Sequence, residues 1–338
     1  SYIDPRTGEL APLWQPWPGE RVVLKISKPA GAAGQTITID RSALEVTPGL
    51  RATQVRSLTT LRSSQGGNHR VLLPDSVDFE GVSLGGTPLP IQPQGRELNV
   101  PITPGQHQLV LSWREPRGVG WRFETQAANL GASGVNASTQ LGMSRDRVVL
   151  AVAGPRVGPA VLLWGVLIVW AAVAWALGRS RFTPLGVAAW LLLGLGLAQT
   201  ELIGVAVVAG WFFALEARRR ATSHPWFAHG PRWRFNVVQC ALAVWTLLAV
   251  LVLVNAVRVG LLGYPDMMIT GNGSNARVLH WYQDRFVDQP ASVSVVSVPV
   301  LFYRLAMLAW ALWLAASVLR WVRWGWQAWS MGGYWRRG

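Results

Sequence analysis

Three groups of residues in this chain have types and spacings that could do chemistry. Gly81-Val82-Ser83-Leu84-Gly85 matches the G-x-S-x-G nucleophile pattern, which works when a strand turns sharply into a helix and exposes the serine. Here the following residues, GTPLPIQPQGRELNV, read as turns and strands, and His107 and Asp146 fall in the wrong order for that triad. The run reads as a hairpin turn. The histidines His69, His107, His224, His229 and His280 all lie outside the apolar runs, so none can hold haem or chlorophyll within a bilayer. His224 and His229 have no Cys or acid beside them and read as a surface pair rather than a zinc site. The single Cys240 excludes an intrachain disulfide and a cysteine metal cluster. With no P-loop and no dinucleotide fingerprint, no cofactor and no catalysis are expected.

The most informative polar residues flank long apolar runs. Gln199, Thr200 and Glu201 separate the second and third runs, Asn255 and Arg258 lie late in the fourth, and Tyr303 and Arg304 lie early in the fifth. Ionisable groups in such runs are costly and are usually paired or functional. The expectation is a polar cluster of Glu201, Asn255, Arg258 and Arg304, with Glu201 pairing Arg258 or Arg304. The alternatives are arginines that snorkel to the interface and a substrate or ion path. A path would want acids deeper in the runs, and the sequence has none there.

The elements that must position these residues follow from composition. The chain has 338 residues, a net charge of +14, 50% hydrophobic and only 14% charged residues, against about 25% charged in ordinary soluble proteins. Up to Leu150 the net charge is +3; beyond it, +11. The basic excess thus belongs to the apolar half, where it is a topology signal before it is a nucleic-acid footprint.

Residues 21–153 read as an antiparallel, Ig-like β-sandwich. Val22, Leu24 and Ile26 alternate in Arg21–Ser27, as do Ile37 and Ile39 in Gln35–Asp40, and Leu109, Leu111 and Trp113 in His107–Arg114. Turn signals such as Gly85-Gly86 and Pro104-Gly105 are dense, and no helix-length apolar period separates the strands. The leading SYIDPRTGELAPLWQPWPGE, residues 1–20, reads as an extended arm rich in Pro and Trp. An export signal is expected upstream of Ser1, cleaved or belonging to a longer chain.

Residues 154–338 read as a five-span transmembrane bundle, with spans near 159–177, 184–199, 202–216, 237–263 and 298–319. Eleven arginines (Arg179, Arg181, Arg218, Arg219, Arg220, Arg232, Arg234, Arg320, Arg323, Arg336 and Arg337) and Glu216 mark one set of boundaries. The opposite loop, 264–297, has Arg277 and Arg285 against Asp266, Asp284 and Asp288. The positive-inside rule puts the first set in the cytoplasm and the β domain outside. Residues 184–216 read as two spans or as a re-entrant hairpin; joining them into one helix would bury Glu201 mid-membrane. In the outer loop GNGSN reads as a turn, and 276–287 as an interfacial helix anchored by Trp281 and Tyr282. The tail 320–338 carries Trp321, Trp324, Trp326, Trp329 and Trp335 among arginines, an interfacial belt meeting anionic lipid rather than a nucleic-acid arm.

With these elements in place, GPRVGPAVLLWG (154–165), TPLGVAAWLLLGLGLAQ (183–199) and SVPVLFYRLAMLAWALWLA (297–315) resemble the C-terminal part of long, uncharacterised proteobacterial inner-membrane proteins. The resemblance implies a bacterial inner membrane with a periplasmic β domain, and it carries over no activity. The expected function is a non-enzymatic scaffold subunit that stabilises a larger respiratory, photosynthetic or envelope-assembly complex. Its partners would be other membrane-protein subunits and lipids, with no nucleic acid. The alternative is a component of transport or of lipid or glycan handling, using the polar cluster.

Overall fold

The computed structural model describes residues 2–3, 10–11, 17–21, 23, 36–180, 182–197, 202–221 and 231–335. Most of the predicted strand at Arg21–Ser27, most of the N-terminal arm, Glu201, His224 and His229 lie outside them. Within the arm, β1 (Tyr2–Ile3) pairs antiparallel with β2 (Leu10–Ala11).

The chain divides into two units. One comprises Ser1–Leu162 and Met267–Val298, the other Leu163–Asp266 and Pro299–Gly338. The first is β-rich. Its strands run β3 (Ile37–Pro48), β4 (Thr53–Ser63), β5 (Gly67–Leu72), β6 (Asp78–Leu84), β7 (Thr87–Leu89) and β8 (Glu97–Ile102). They continue as β9 (Gly105–Glu115), β10 (Arg122–Glu124), β11 (Gly134–Gly142), β12 (Arg147–Ala153) and β13 (Ala160–Val161). After a long excursion through the other unit come β14 (Ile269–Thr270), β15 (Val278–Phe286) and β16 (Ser294–Pro299).

The largest sheet has seven strands in the order β15-β11-β3-β4-β9-β6-β7. Its ladders are antiparallel except β11 with β3, which is parallel, so the sheet is not purely antiparallel as expected. β5 pairs with β8, and β16 lies between β10 and β12. Alternation along β4, β9 and β8 sends Leu61, Leu111, Trp113 and Leu98 into one core shared by these sheets. The G-x-S-x-G run forms β6 and its hairpin: Gly85 and Gly86 take φ of 59° and 83°, the conformation a two-residue primed turn requires. Ser83 sits in the ladder opposite Val110 and Pro88.

The expected interfacial helix at 276–287 is corrected. GNGSN does form a turn, but β15 follows it and pairs with β11 from Gly134↔Phe286 to Gly142↔Val278. Val278, Trp281, Tyr282 and Phe286 fit a helical stripe, yet Leu279 and Trp281 fit an alternating one equally well. The exposed edge of β11 decides between them by supplying backbone partners. The segment assigned to an outer loop therefore completes the β unit.

In the second unit all five apolar runs are helical: α1 (Leu163–Arg179), α2 (Val187–Leu197), α3 (Leu202–Ala221), α4 (Arg232–Leu262) and α5 (Val300–Ser330). Of the five spans expected from the sequence, two are matched by described helices long and apolar enough to cross a membrane, α4 and α5. Only 22% of that stretch of α4 and 28% of that of α5 is buried within the protein, unlike the core helix of a water-soluble domain. α1 and α2, at 17 and 11 residues, are shorter, and α3 ends in Arg218, Arg219 and Arg220. α5 continues to Ser330, so residues 320–330 are helix rather than tail.

Candidate functional site

Asn255 and Arg258, three residues apart on α4, and Arg304 on α5 are all exposed on their helices. Among the described residues neither arginine makes an ion pair. Their exposure suits guanidinium groups that reach toward an interface along their own stems.

Aromatic side chains fill the interior of the helical unit. Trp190 meets Phe212 edge-on at 5.8 Å, Phe212 meets Trp321 at 5.1 Å and Trp321 meets Trp313 at 5.9 Å. An indole N–H taken out of water needs an acceptor, and four of these indoles find one on a neighbouring helix. Trp170 Nε1 donates to the Trp190 carbonyl at 3.1 Å, Trp310 Nε1 to the Leu192 carbonyl at 2.7 Å, and Trp245 Nε1 to the Val207 carbonyl at 3.0 Å. Trp211 Nε1 donates to Thr246 Oγ1 at 2.9 Å. Glycines make room for these rings: a Cβ on Gly194 would overlap the Trp170 indole, and one on Gly196 that of Trp310. Small residues that let a ring approach the backbone are how helices associate where water supplies no driving force. The sequence reading missed these bonds; the only local signal was Gly194-x-Gly196 inside a run with many tryptophans elsewhere.

Charge gathers at one end of this unit. Glu216, buried, accepts from Arg219 and Arg220, each at 2.8 Å. Arg218 donates to the Met331 carbonyl at 2.8 Å and lies over the Phe235 ring. Gln239 Nε2 donates to the Trp329 and Gly333 carbonyls, while Trp329 Nε1 donates back to the Gln239 carbonyl. These bonds satisfy carbonyls at the end of α5 that the helix leaves open.

The tryptophans assigned to an interfacial belt therefore divide. Trp321 is buried in the helical core, Trp324 and Trp329 are half-buried, and Trp326 and Trp335 are exposed. Trp281 is 2% exposed in the core of the β unit, where the backbone at Gly154 and Gly158 crosses its ring. A Cβ on Gly154 would lie 2.8 Å from Trp281 Nε1. Tyr282 donates to Asn136 Oδ1 at 2.7 Å. Trp281 and Tyr282 are thus parts of the β unit's own structure.

The outer face of the seven-stranded sheet holds a polar hollow of about 590 Å³ lined by Asp40, Glu45, Asn136, Gln140, His280 and Tyr282, among others. The ladder register builds it: Gln140 stands between His280 and Glu45, and Ser138 between Tyr282 and Ala43. Asn136 adopts a φ of 54°, which Asn tolerates better than most side chains, and its Nδ2 donates to the Asp40 carbonyl. Burial pulls the His280 pKa below its ordinary value of 6.5, so its ring is neutral near pH 7. Amide groups, a neutral imidazole, a phenol and the charged side chains of Asp40, Arg41 and Glu45 make its lining polar. Among the described residues no three His, Cys, Asp or Glu side chains converge as metal ligands would.

No protein-family model matches the chain, and no curated protein matches it. Among solved structures, an M1 zinc metallopeptidase from Deinococcus radiodurans is similar over 37% of this chain and 35% of its own, with 12% identity and a TM-score of 0.27. The same enzyme as a point mutant bound to a Tyr-Ser-Ala substrate gives 11% identity over 37% and 35%, with a TM-score of 0.26. A two-domain M1 zinc metallopeptidase mutant bound to L-tryptophan gives 10% identity over 38% and 36%, with a TM-score of 0.28. The matched region spans about a third of those chains.

Proposed function

We propose that this chain is a non-enzymatic scaffold subunit of a bacterial inner-membrane complex, with its helical unit in the bilayer and its β unit on the periplasmic side. The observation that carries this reading is the interior of the helical unit. Interlocked rings and indole–carbonyl bonds fill it, where a transporter would need a hydrated polar path.

Chain connectivity supports the membrane topology. The chain leaves the β unit at Leu162, returns to it at Met267 and leaves again at Val298. With the helical unit in the bilayer, this connectivity favours an even number of crossings from α1 to α4 and so disfavours joining α2 and α3 into one span. At 11 residues α2 is about 16 Å long, short of the roughly 30 Å hydrocarbon core. α2 and α3 therefore form a hairpin with both ends toward the arginine-rich side, while α1, α4 and α5 cross. The periplasmic placement rests on the arginine asymmetry, and the polar sheet face is the surface offered to partner subunits.

The test combines charge reversal on that face with a flux control. Glu45→Arg with Gln140→Arg should leave the chain's thermal unfolding unchanged and dissociate the complex isolated in mild detergent. Arg258→Gln and Arg304→Gln should leave the complex intact. If either arginine variant abolished movement of a solute or lipid while the complex stayed assembled, the transport reading would replace this one.

A further inference from the structure

Along one side of the helical unit runs an apolar groove of about 1090 Å³. Its floor is a stripe on α4 formed by Trp233, Val237, Val244 and Leu248, whose spacings of four, seven and four keep them on one face of a 3.6-residue helix. Val207 of α3 and Trp335 complete the walls. The wall near Val207 is held in place, because Trp245 donates to the Val207 carbonyl and its ring lies where a Cβ on Gly210 would come within 2.8 Å. At the Trp233 end the Arg234 guanidinium lies over the Trp233 ring, 5.4 Å from its centroid. Among the described residues that line it, none carries a full charge.

The length of the groove selects its occupant. Trp233 to Leu248 is about 22 Å along the helix axis, which matches half of a 40–45 Å bilayer with its headgroups. Beyond Leu248 the helix runs on to Leu262 without the groove. A transmembrane partner helix would need a seat across the whole hydrocarbon core, whereas a lipid of one leaflet needs half of it. The tryptophan and arginine at the start of α4 are the residues that meet the headgroup level, and arginine there favours anionic lipid.

We infer that this groove holds one anionic phospholipid, its acyl chains lying along α4 from Trp233 toward Leu248 and its phosphate at Arg234. The inference rests on the bilayer placement proposed above. It makes the lipid a fixed part of the α3–α4 surface, covering apolar side chains that the described residues leave open.

The chain's single cysteine, Cys240, is exposed in the groove wall and reports on occupancy. The full chain is reconstituted in nanodiscs of phosphatidylcholine with or without phosphatidylglycerol, and modification of Cys240 by a membrane-permeant maleimide is timed. Phosphatidylglycerol should slow modification about fivefold or more, and mass spectrometry after detergent release should find one phosphatidylglycerol per chain. Arg234→Gln should lower that preference about fivefold, the worth of one arginine at an anionic surface, with thermal unfolding unchanged because Arg234 is exposed. Equal labelling and equal retention of the two lipids would overturn the site while leaving the bilayer placement standing. Disulfide-linked dimers through Cys240 in phosphatidylglycerol discs would also overturn it, in favour of a second copy. A chain that stays dispersed without detergent and enters no nanodisc would overturn both readings.

Discussion

Arg147 of β12 donates from Nε to Ser297 Oγ at 3.0 Å and from Nη2 to the Ser297 carbonyl at 2.7 Å, joining positions 150 residues apart. Ser297 is fully buried and Arg147 is 6% exposed. Burial pulls the arginine pKa down, partly offset by Asp146, but the group stays charged at any physiological pH. The pair holds the returning segment in the β unit, three residues before the chain enters α5 at Val300. Arg147→Met should lower the stability of the β unit by about 2 kcal/mol or more, because it removes several charge-assisted hydrogen bonds from buried oxygens. Arg147→Lys should recover little, since an ammonium cannot reproduce the fork. Hydrogen exchange at the amides of Val295 and Ser297 checks this: both should exchange faster in either variant.

Trp281 and Trp326 offer a direct contrast. Trp281 is a core residue of the β unit, and Trp326 is exposed on the last turns of α5. Trp281→Ala should cost about 3–5 kcal/mol of β-unit stability, as large-to-small core changes do. Trp326→Ala should leave unfolding within about 0.5 kcal/mol of the parent. Thermal unfolding of the two full-length variants in the same detergent separates them, and equal small effects would return Trp281 to an interfacial role.

Ring-into-glycine packing in the helical unit predicts an asymmetry among alanine substitutions. Gly196→Ala places a methyl group in the Trp310 ring, and that ring is tied by its bond to the Leu192 carbonyl. The expected loss is about 1–3 kcal/mol. Gly165 on α1 has open space around it, so Gly165→Ala should be neutral or stabilising by up to about 1 kcal/mol. Melting temperatures of both variants in one detergent give the comparison.

Two histidines set the acid response of the β unit. Burial pulls His69 and His280 below their ordinary pKa of 6.5; for His69 a backbone hydrogen bond with Leu130 partly offsets this. Both are neutral when folded and take up a proton more readily when unfolded. Stability should hold above pH 6.5, fall as the pH drops below it, and level off once the folded histidines also protonate. Denaturant titrations of the full chain from pH 7.5 downward should show that slope, reduced in His69→Gln. A flat profile would contradict the burial of His69.

Because Met267–Val298 belongs to the same unit as β3–β13, reporters inserted in the GNGSN turn and fused ahead of β3 should appear on one side of the membrane. A reporter placed after Arg220 should appear on the other. A turn reporter on the same side as the arginines would break both the topology and the bilayer placement of the groove.

Much of this architecture could be read from particular residues. Alternation in His107–Arg114 marked β9, the Gly85-Gly86 turn marked the β6–β7 hairpin, and the apolar runs marked the helices. The polar residues of the candidate site were identified, but their expected pairing was not placed, because Glu201 lies outside the described residues and the two arginines stand exposed. The α4 stripe of Trp233, Val237, Val244 and Leu248 was also present in the sequence. It was hidden because a helix that is apolar on every side has no contrasting face to give a period.

The sequence by itself determined the division into a β-rich part and an apolar helical part, together with the arginine asymmetry between helix ends. These are local properties: strand alternation, run length and charge depend on neighbouring residues and on the solvent they meet. Only the tertiary structure decided that 278–286 is a strand of the first domain, that Trp281 is core, and that indole N–H groups bind carbonyls of other helices. Each depends on a partner far along the chain. β15 needs the free edge of β11, and Trp310 needs the carbonyl of Leu192 beside a glycine. A backbone or indole hydrogen bond takes its meaning from what it reaches, and distance along the chain does not say what that will be.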